Sequence, residues 1–296
     1  MTEERKPEDM ELFEKVSLRE QVKKELSDQH GPIKDALRDV RYKIAILSGK
    51  GGVGKTSAVI NIAAVLRQMG FEVGIMDADV HGPSVPKMTG LSKQTELHGA
   101  WGMEPVATDQ GIKVMSVSLF WPGEATPVMW KGHHKARVIR QLLAMVQWGK
   151  LDFLLVDLPP GTGDEPVTIM KSIPGLDGVV VVTSPQEVSV AVCSKAISSA
   201  NELNTPILGL IENMSDFRCP HCGGEIALLG QGRGEDLART YKIPFLGRIP
   251  LNELAGKAAD EGVPVVTQYP DSPVSVAFRG VTDKILEILK KKGEKN

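Results

Sequence analysis

Gly49-Lys50-Gly51-Gly52-Val53-Gly54-Lys55-Thr56 lies between a short apolar run, 44–47, and a helical pattern, 57–69. It fits G-x-x-x-x-G-K-[S/T], and a strand before it with a helix after it is the setting the motif requires. Glycines let successive backbone N–H groups converge on phosphate oxygens with no side chain in the way. The helix that follows turns its own N-terminal amides on the same anion. Residues 49–56 and Ser57 therefore read as a site for ATP. Lys55 reaches the β- and γ-phosphates, and the Thr56 hydroxyl binds Mg2+.

Outward from this loop, short runs rich in β-branched residues alternate with helical stretches. They fall at 44–47, 73–76, 112–117, 153–156, 178–182, 207–211 and 244–249. Several are almost wholly apolar, as strands covered on both faces are. The alternation implies right-handed βαβ units and a mostly parallel sheet. The expected fold is α/β: one P-loop NTPase domain over 42–296, with roughly seven strands flanked by helices. The stretch 91–111 reads as an irregular excursion. Residues 1–41 read as a charged leader broken by Gly31-Pro32, a solvated helix or mobile arm without chemistry. Val274, Phe278, Val281, Ile285 and Ile288 recur at helical spacing before Lys290-Lys291-Lys292. That pattern predicts a terminal helix packed on the sheet, its basic end complementing the helix dipole. A membrane anchor is the weaker reading, because the tail has few lysines and no Trp.

Composition narrows the function classes. The chain has 296 residues, 42% of them hydrophobic, enough for a substantial core. A net charge of -2 argues against a nucleic-acid partner, and 5% aromatics is too sparse for a base-stacking platform. No run of about 18 apolar residues predicts a membrane span, and the first forty residues have no apolar signal-peptide core. Three cysteines, Cys193, Cys219 and Cys222, do not make a disulfide framework. The expected setting is the reducing cytoplasm, where thiols stay available for metal or redox work.

Two carboxylate motifs flank the loop. Asp77-Ala78-Asp79 closes the second predicted strand, at the sheet end where α/β proteins place ligands. Asp77 is a candidate for holding a Mg2+-bound water, and Asp79 for orienting an attacking water. A turn or capping role is the alternative for each. Phe153-Leu154-Leu155-Val156-Asp157 has the Walker B form, and Asp157 would hold the metal through water. It leads into Leu158-Pro159-Pro160-Gly161-Thr162-Gly163-Asp164, which resembles a switch that senses the γ-phosphate.

Cys219-Pro220-His221-Cys222 precedes Gly223-Gly224. Two thiolates at this spacing on a tight turn can address one metal centre. One pair is half a site, since tetrahedral zinc and four-iron clusters want four ligands. Cys193 sits in a helical pattern and reads as a small packing residue. His221 reads as a solvent-facing loop residue, with completion of a metal site as its alternative. A two-fold dimer would oppose two cysteine pairs. A dithiol redox couple and a zinc shared between subunits stay open.

The run from Lys50 to Thr56 resembles the deviant Walker A motif of the MinD/ParA/Mrp group of dimeric ATPases. That resemblance implies that Lys50 crosses a homodimer interface to the partner's nucleotide and stabilises charge on the transferring phosphoryl group. It makes Lys50, Lys55, Asp79 and Asp157 the catalytic set. Further shared stretches are 77–84, 157–164, 184–186, 212–215, 219–222, 243–247 and 249–251. Over residues 43–268 the chain resembles the Mrp/ApbC branch, the iron–sulfur cluster carriers. The implication is that Asn213 recognises adenine and Pro250 flanks the base. Cys219 and Cys222 of two subunits would hold a 4Fe–4S cluster passed to apo iron–sulfur client proteins. Departures are His133-His134 after Trp130-Lys131-Gly132, Val192 and Asn252 where relatives often carry Asp, and a leader without cysteines. Two other readings use similar parts: a spatial organiser on DNA or membrane, and a metal-insertion or reductase-activating ATPase.

Overall fold

The computed structural model describes residues 31–80, 82–91, 102–119, 132–219 and 222–294. In chain order the strands are β1 (Val40–Ser48), β2 (Val73–Asp77), β3 (Val106–Ala107), β4 (Lys113–Ser116), β5 (Leu151–Asp157), β6 (Gly178–Thr183), β7 (Ile207–Ser215), β8 (Phe217–Arg218), β9 (Glu225–Ile226) and β10 (Phe245–Pro250). Eight of them form one sheet, ordered β10-β7-β6-β1-β5-β2-β4-β3. Every pair in it is parallel except β3 with β4. Strands β8 and β9 form a separate antiparallel hairpin.

The near-continuous apolar runs become the central strands because both faces of the sheet are covered. Successive residues point to opposite faces. Ile44, Ile46, Phe153, Leu155, Val180 and Val182 join one core cluster, with the helices Lys55–Gln68 and Pro273–Gly293. Ala45, Leu47, Leu154, Val156, Val179 and Val181 join the other, with residues of the helices Gly132–Met145, Asp164–Ser172 and Glu187–Glu202. The chain leaves β1 toward β2 on one side and later places β6 on the other. Strand order thus reverses beside β1, and the carboxyl ends there make the crevice where such sheets bind ligands.

The sequence expectation of about seven strands holds for β1, β2, β4, β5, β6, β7 and β10. The differences are the small elements. Part of the stretch expected to be irregular supplies β3, an antiparallel edge on β4, and residues 92–101 of it lie outside the described residues. The cysteine loop is braced by β8 and β9. Of the leader, residues 1–30 lie outside the described residues; Ile33 and Leu37 belong to the core, so the packed body begins before Lys43. The terminal helix packs as expected. Val274, Phe278, Val281 and Ile285 are buried, while at the end of the stripe Leu289 is buried and Ile288 only half-buried; Lys292 Nζ donates to the Asp177 carbonyl at 2.7 Å. Its apolar stripe is therefore covered by the sheet. Among the described residues no helix is long and apolar enough to cross a membrane.

This packing sets an expectation for Phe278, which is only 1% exposed. Phe278→Ala should destabilise the protein by about 3–5 kcal/mol. Urea unfolding followed by circular dichroism checks it; a loss below about 1 kcal/mol would mean the helix is loosely held.

Candidate nucleotide site and cysteine hairpin

The phosphate loop leaves β1 at Ser48 and is shaped by two close approaches. A side chain at Gly49 would put its Cβ within 2.6–2.7 Å of the Val192 and Cys193 backbone, so glycine lets the loop lie on the helix Glu187–Glu202. Gly54 has φ +83, and a Cβ there would stand 2.0 Å from Asn213 Nδ2. That close space is used. Asn213 Nδ2 donates to the Val53 carbonyl at 2.9 Å and ties the end of β7 to the loop. Gly54 is also the N-cap of the helix Lys55–Gln68, with no side-chain cap. The first amides of that helix are thereby left to an anion.

Lys55 is buried, 6% exposed, and its Nζ lies 2.5 Å from Asp157 Oδ1. Thr56 Oγ1 donates to Asp157 Oδ2 at 2.7 Å. The Walker B carboxylate thus grips both reactive residues of the loop. Asp77 and Asp157 are register partners on adjacent strands, 1% and 0% exposed. Asp77 accepts from Ser116 Oγ at 3.1 Å, from the Asp79 amide at 3.2 Å and from the Val85 amide at 3.4 Å. Burial and the neighbouring Asp157 charge push the Asp77 carboxyl up to about 8. Burial also raises Asp157, opposed by Lys55. Asp79 is half-buried and accepts from the Gly82 amide at 3.3 Å. Lys50 is exposed at the loop's outer edge. Pro250, half-buried, ends β10 opposite Ser215.

The segment 158–164 that follows Asp157 is anchored at its base. Leu158 N donates to the Ile46 carbonyl at 3.2 Å and Gly161 N to the Ser48 carbonyl at 3.0 Å. Pro160 lies in van der Waals range of a Cβ built on Gly51. The sequence motifs at 49–57, 77–79, 157–161, 213 and 250 therefore lie along the carboxyl end of the sheet. His81, Trp130 and Lys131 lie outside the described residues.

Cys219 and Cys222 stand on the β8–β9 hairpin, half-buried and exposed respectively. Cys219 N donates to the Gly224 carbonyl and Gly223 N to the Cys219 carbonyl, both at 2.9 Å. This closes a tight turn around the pair. Pro220 and His221 lie outside the described residues. Among the described residues no group of three or more His, Cys, Asp or Glu side chains gathers in metal-binding range. Cys193 packs in the core as expected, its thiol pushed up to about 12 by burial.

Sequence reasoning quoted Glu212 only as part of a motif. It is fully buried at the end of β7 and accepts hydrogen bonds from Ser215, Gly232 and Gly234. Beyond that shared stretch, its signal was a charge after the apolar run 207–211.

Comparison with known proteins bears on this geometry. A family model described as ParA, NUBPL iron-transfer P-loop NTPase, matches residues 39–286. The chain belongs to that family. It is 46% identical over 270 residues to a Methanococcus maripaludis protein named iron-sulfur cluster carrier protein, covering 91% of this chain and 93% of that one. An Aquifex aeolicus protein of the same name is 39% identical over 253 residues, 86% of this chain and 69% of its own length. Among solved structures, an Archaeoglobus fulgidus nucleotide-binding protein in complex with ADP is similar, with TM-score 0.69, 41% identity and coverage of 79% of this chain and 91% of that one. The septum site-determining protein MinD from Pyrococcus horikoshii, complexed with Mg-ADP, has TM-score 0.60 at 23% identity, covering 83% and 96%. That likeness shows the shared fold. The site is that of a nucleotide-binding P-loop NTPase.

The thiols should separate in reactivity. Iodoacetamide at pH 8 is expected to alkylate Cys222 rapidly and Cys193 only after unfolding, as read by peptide mass spectrometry. Equal labelling of Cys193 in the folded protein would show that its pocket opens.

Proposed function

We propose that this protein is an ATP-dependent iron–sulfur cluster carrier that works as a homodimer in the cytoplasm. The observation that carries the reading is the cysteine pair itself. Cys219 and Cys222 sit together on one accessible turn, in the same chain as a phosphate loop, and supply half of a four-thiolate set. A two-fold axis that opposes two such turns would complete the set. The names of the relatives support the same cargo. A 4Fe–4S cluster bound there would be handed to apo iron–sulfur client proteins. A DNA- or membrane-bound organiser would leave the cysteine turn without a purpose, and the apolar face of the terminal helix is already covered.

For the nucleotide, residues 49–57 would hold the phosphates of ATP, with Asn213 and Pro250 at the base. A triphosphate would compete with Asp157 for the Lys55 ammonium. Two sealed carboxylates against one ammonium suit a hard divalent cation with oxygen ligands. Thr56, Asp77 and Asp157 would hold Mg2+, which when bound neutralises charge on the β- and γ-phosphate oxygens. Asp79 would orient a water whose oxygen bonds to the γ-phosphorus as the bridging P–O bond to ADP breaks. The exposed Lys50 would cross the interface and stabilise charge on the transferring group. Hydrolysis would be slow and coupled to loading or release of the cluster.

Two experiments test this. After anaerobic reconstitution with iron and sulfide, the parent should turn brown and retain iron, and a Cys219→Ala, Cys222→Ala variant should retain almost none. Full uptake by that variant would sink the cysteine assignment. In mixed dimers, Lys50→Ala on one subunit should slow turnover at the other subunit's nucleotide by about 10^2-fold or more. Slowing confined to the mutant's own nucleotide would contradict the crossing lysine.

A further inference from the structure

Three acidic side chains among the described residues are buried: Asp77, Asp157 and Glu212. The first two belong to the nucleotide site, and Glu212 has no part in it. Glu212 lies in the buried run of β7, paired with Thr183 of β6. Its Oε1 accepts from Ser215 Oγ at 2.9 Å and from the Gly232 amide at 3.1 Å. Its Oε2 accepts from the Gly234 amide at 2.5 Å, and Arg248 Nε stands 3.6 Å from Oε1. A Cβ on Gly234 would lie 2.9 Å from Oε2, so glycine keeps that approach open.

The positions of these partners along the chain matter. Ser215 is the last residue of β7, and residues 216–231 then leave the sheet and carry Cys219 and Cys222. Gly232 is the N-cap of the returning helix, Arg233–Tyr241. One carboxylate oxygen therefore joins the exit and the return of the cysteine excursion. The roots need holding, because Met214 and Asp216 on either side of Ser215 adopt left-handed backbone, with φ 59 and 51. Non-glycine residues keep that conformation only where their surroundings enforce it. Leu251 N donates to the Ser215 carbonyl at 2.7 Å and Arg233 Nη1 to the Pro185 carbonyl at 3.1 Å, which fixes each root to the sheet end.

We infer that Glu212 is a positioning residue for the cysteine pair: it clamps both roots of the excursion so that Cys219 and Cys222 meet their cargo in one geometry. This rests on the reading that these cysteines hold the cluster. A simple helix cap would need only Gly232 and Gly234. The Ser215 bond is the part that a cap does not use, so Ser215→Ala separates the two roles.

The test compares Glu212→Gln, Ser215→Ala and parent. Hydrogen exchange of the metal-free proteins should quicken across 216–231 by about five-fold or more in both variants, with the central strands unchanged. Iron loss from reconstituted protein to an iron chelator should quicken by a similar factor, while ATP affinity stays within about two-fold of parent. Unchanged exchange and iron loss in both variants would overturn the inference. So would effects confined to Glu212→Gln, which would reduce Glu212 to a helix cap. Should the Cys219→Ala, Cys222→Ala variant keep its iron, the cluster reading fails, and exchange in the metal-free proteins still decides whether Glu212 fixes the excursion.

Discussion

A buried ammonium 2.5 Å from a buried carboxylate holds the working end of this molecule together. Lys55 comes from the phosphate loop and Asp157 from the neighbouring strand, so their pairing locks loop to sheet. Removing either partner would strand a charge away from water, at a cost of about 3–5 kcal/mol. The rest of the crevice follows from keeping that pair in place. Gly49 lets the loop lie on a helix backbone, and Gly54 makes room for the Asn213 amide that grips Val53. Thr56 occupies the second oxygen of Asp157. A phosphate bound at the loop would offer Lys55 another anion. A shift of Lys55 toward that anion would alter the charge left on Asp157, which leads directly into residues 158–164.

The end of β7 extends this arrangement toward the cysteines. Adjacent residues there face different tasks: Glu212 holds the excursion roots, and Asn213 holds the phosphate loop. Only five residues separate Asn213 from Cys219. A displacement of the loop at Val53 thus has a short covalent route to the cysteine turn.

The fold was legible where burial leaves a strong pattern. Runs such as Val179–Val182 are apolar on both faces because helices cover both, and the 3.6-residue stripe from Val274 to Ile288 favoured a packed helix over a membrane anchor. Two-residue strands leave no such pattern, so β3 and the β8–β9 hairpin were hidden. Ile33 and Leu37 were lost among charges, although they enter the core. In the site, the loop, Asp77, Asp157 and the cysteine pair were readable because their spacing encodes chemistry. The ion pair of Lys55 with Asp157 was not, because the partners lie 102 positions apart in the chain. The clamp at Glu212 was hidden likewise, since its meaning lies in bonds to Ser215, Gly232 and Gly234.

Cys219 and Cys222 supply half of a four-thiolate set on one chain, so the proposed cargo site needs two chains. Native mass spectrometry of anaerobically reconstituted protein tests it directly. A species of two chains should carry about one 4Fe–4S cluster, with single chains free of it. A cluster carried intact on a single chain would contradict it.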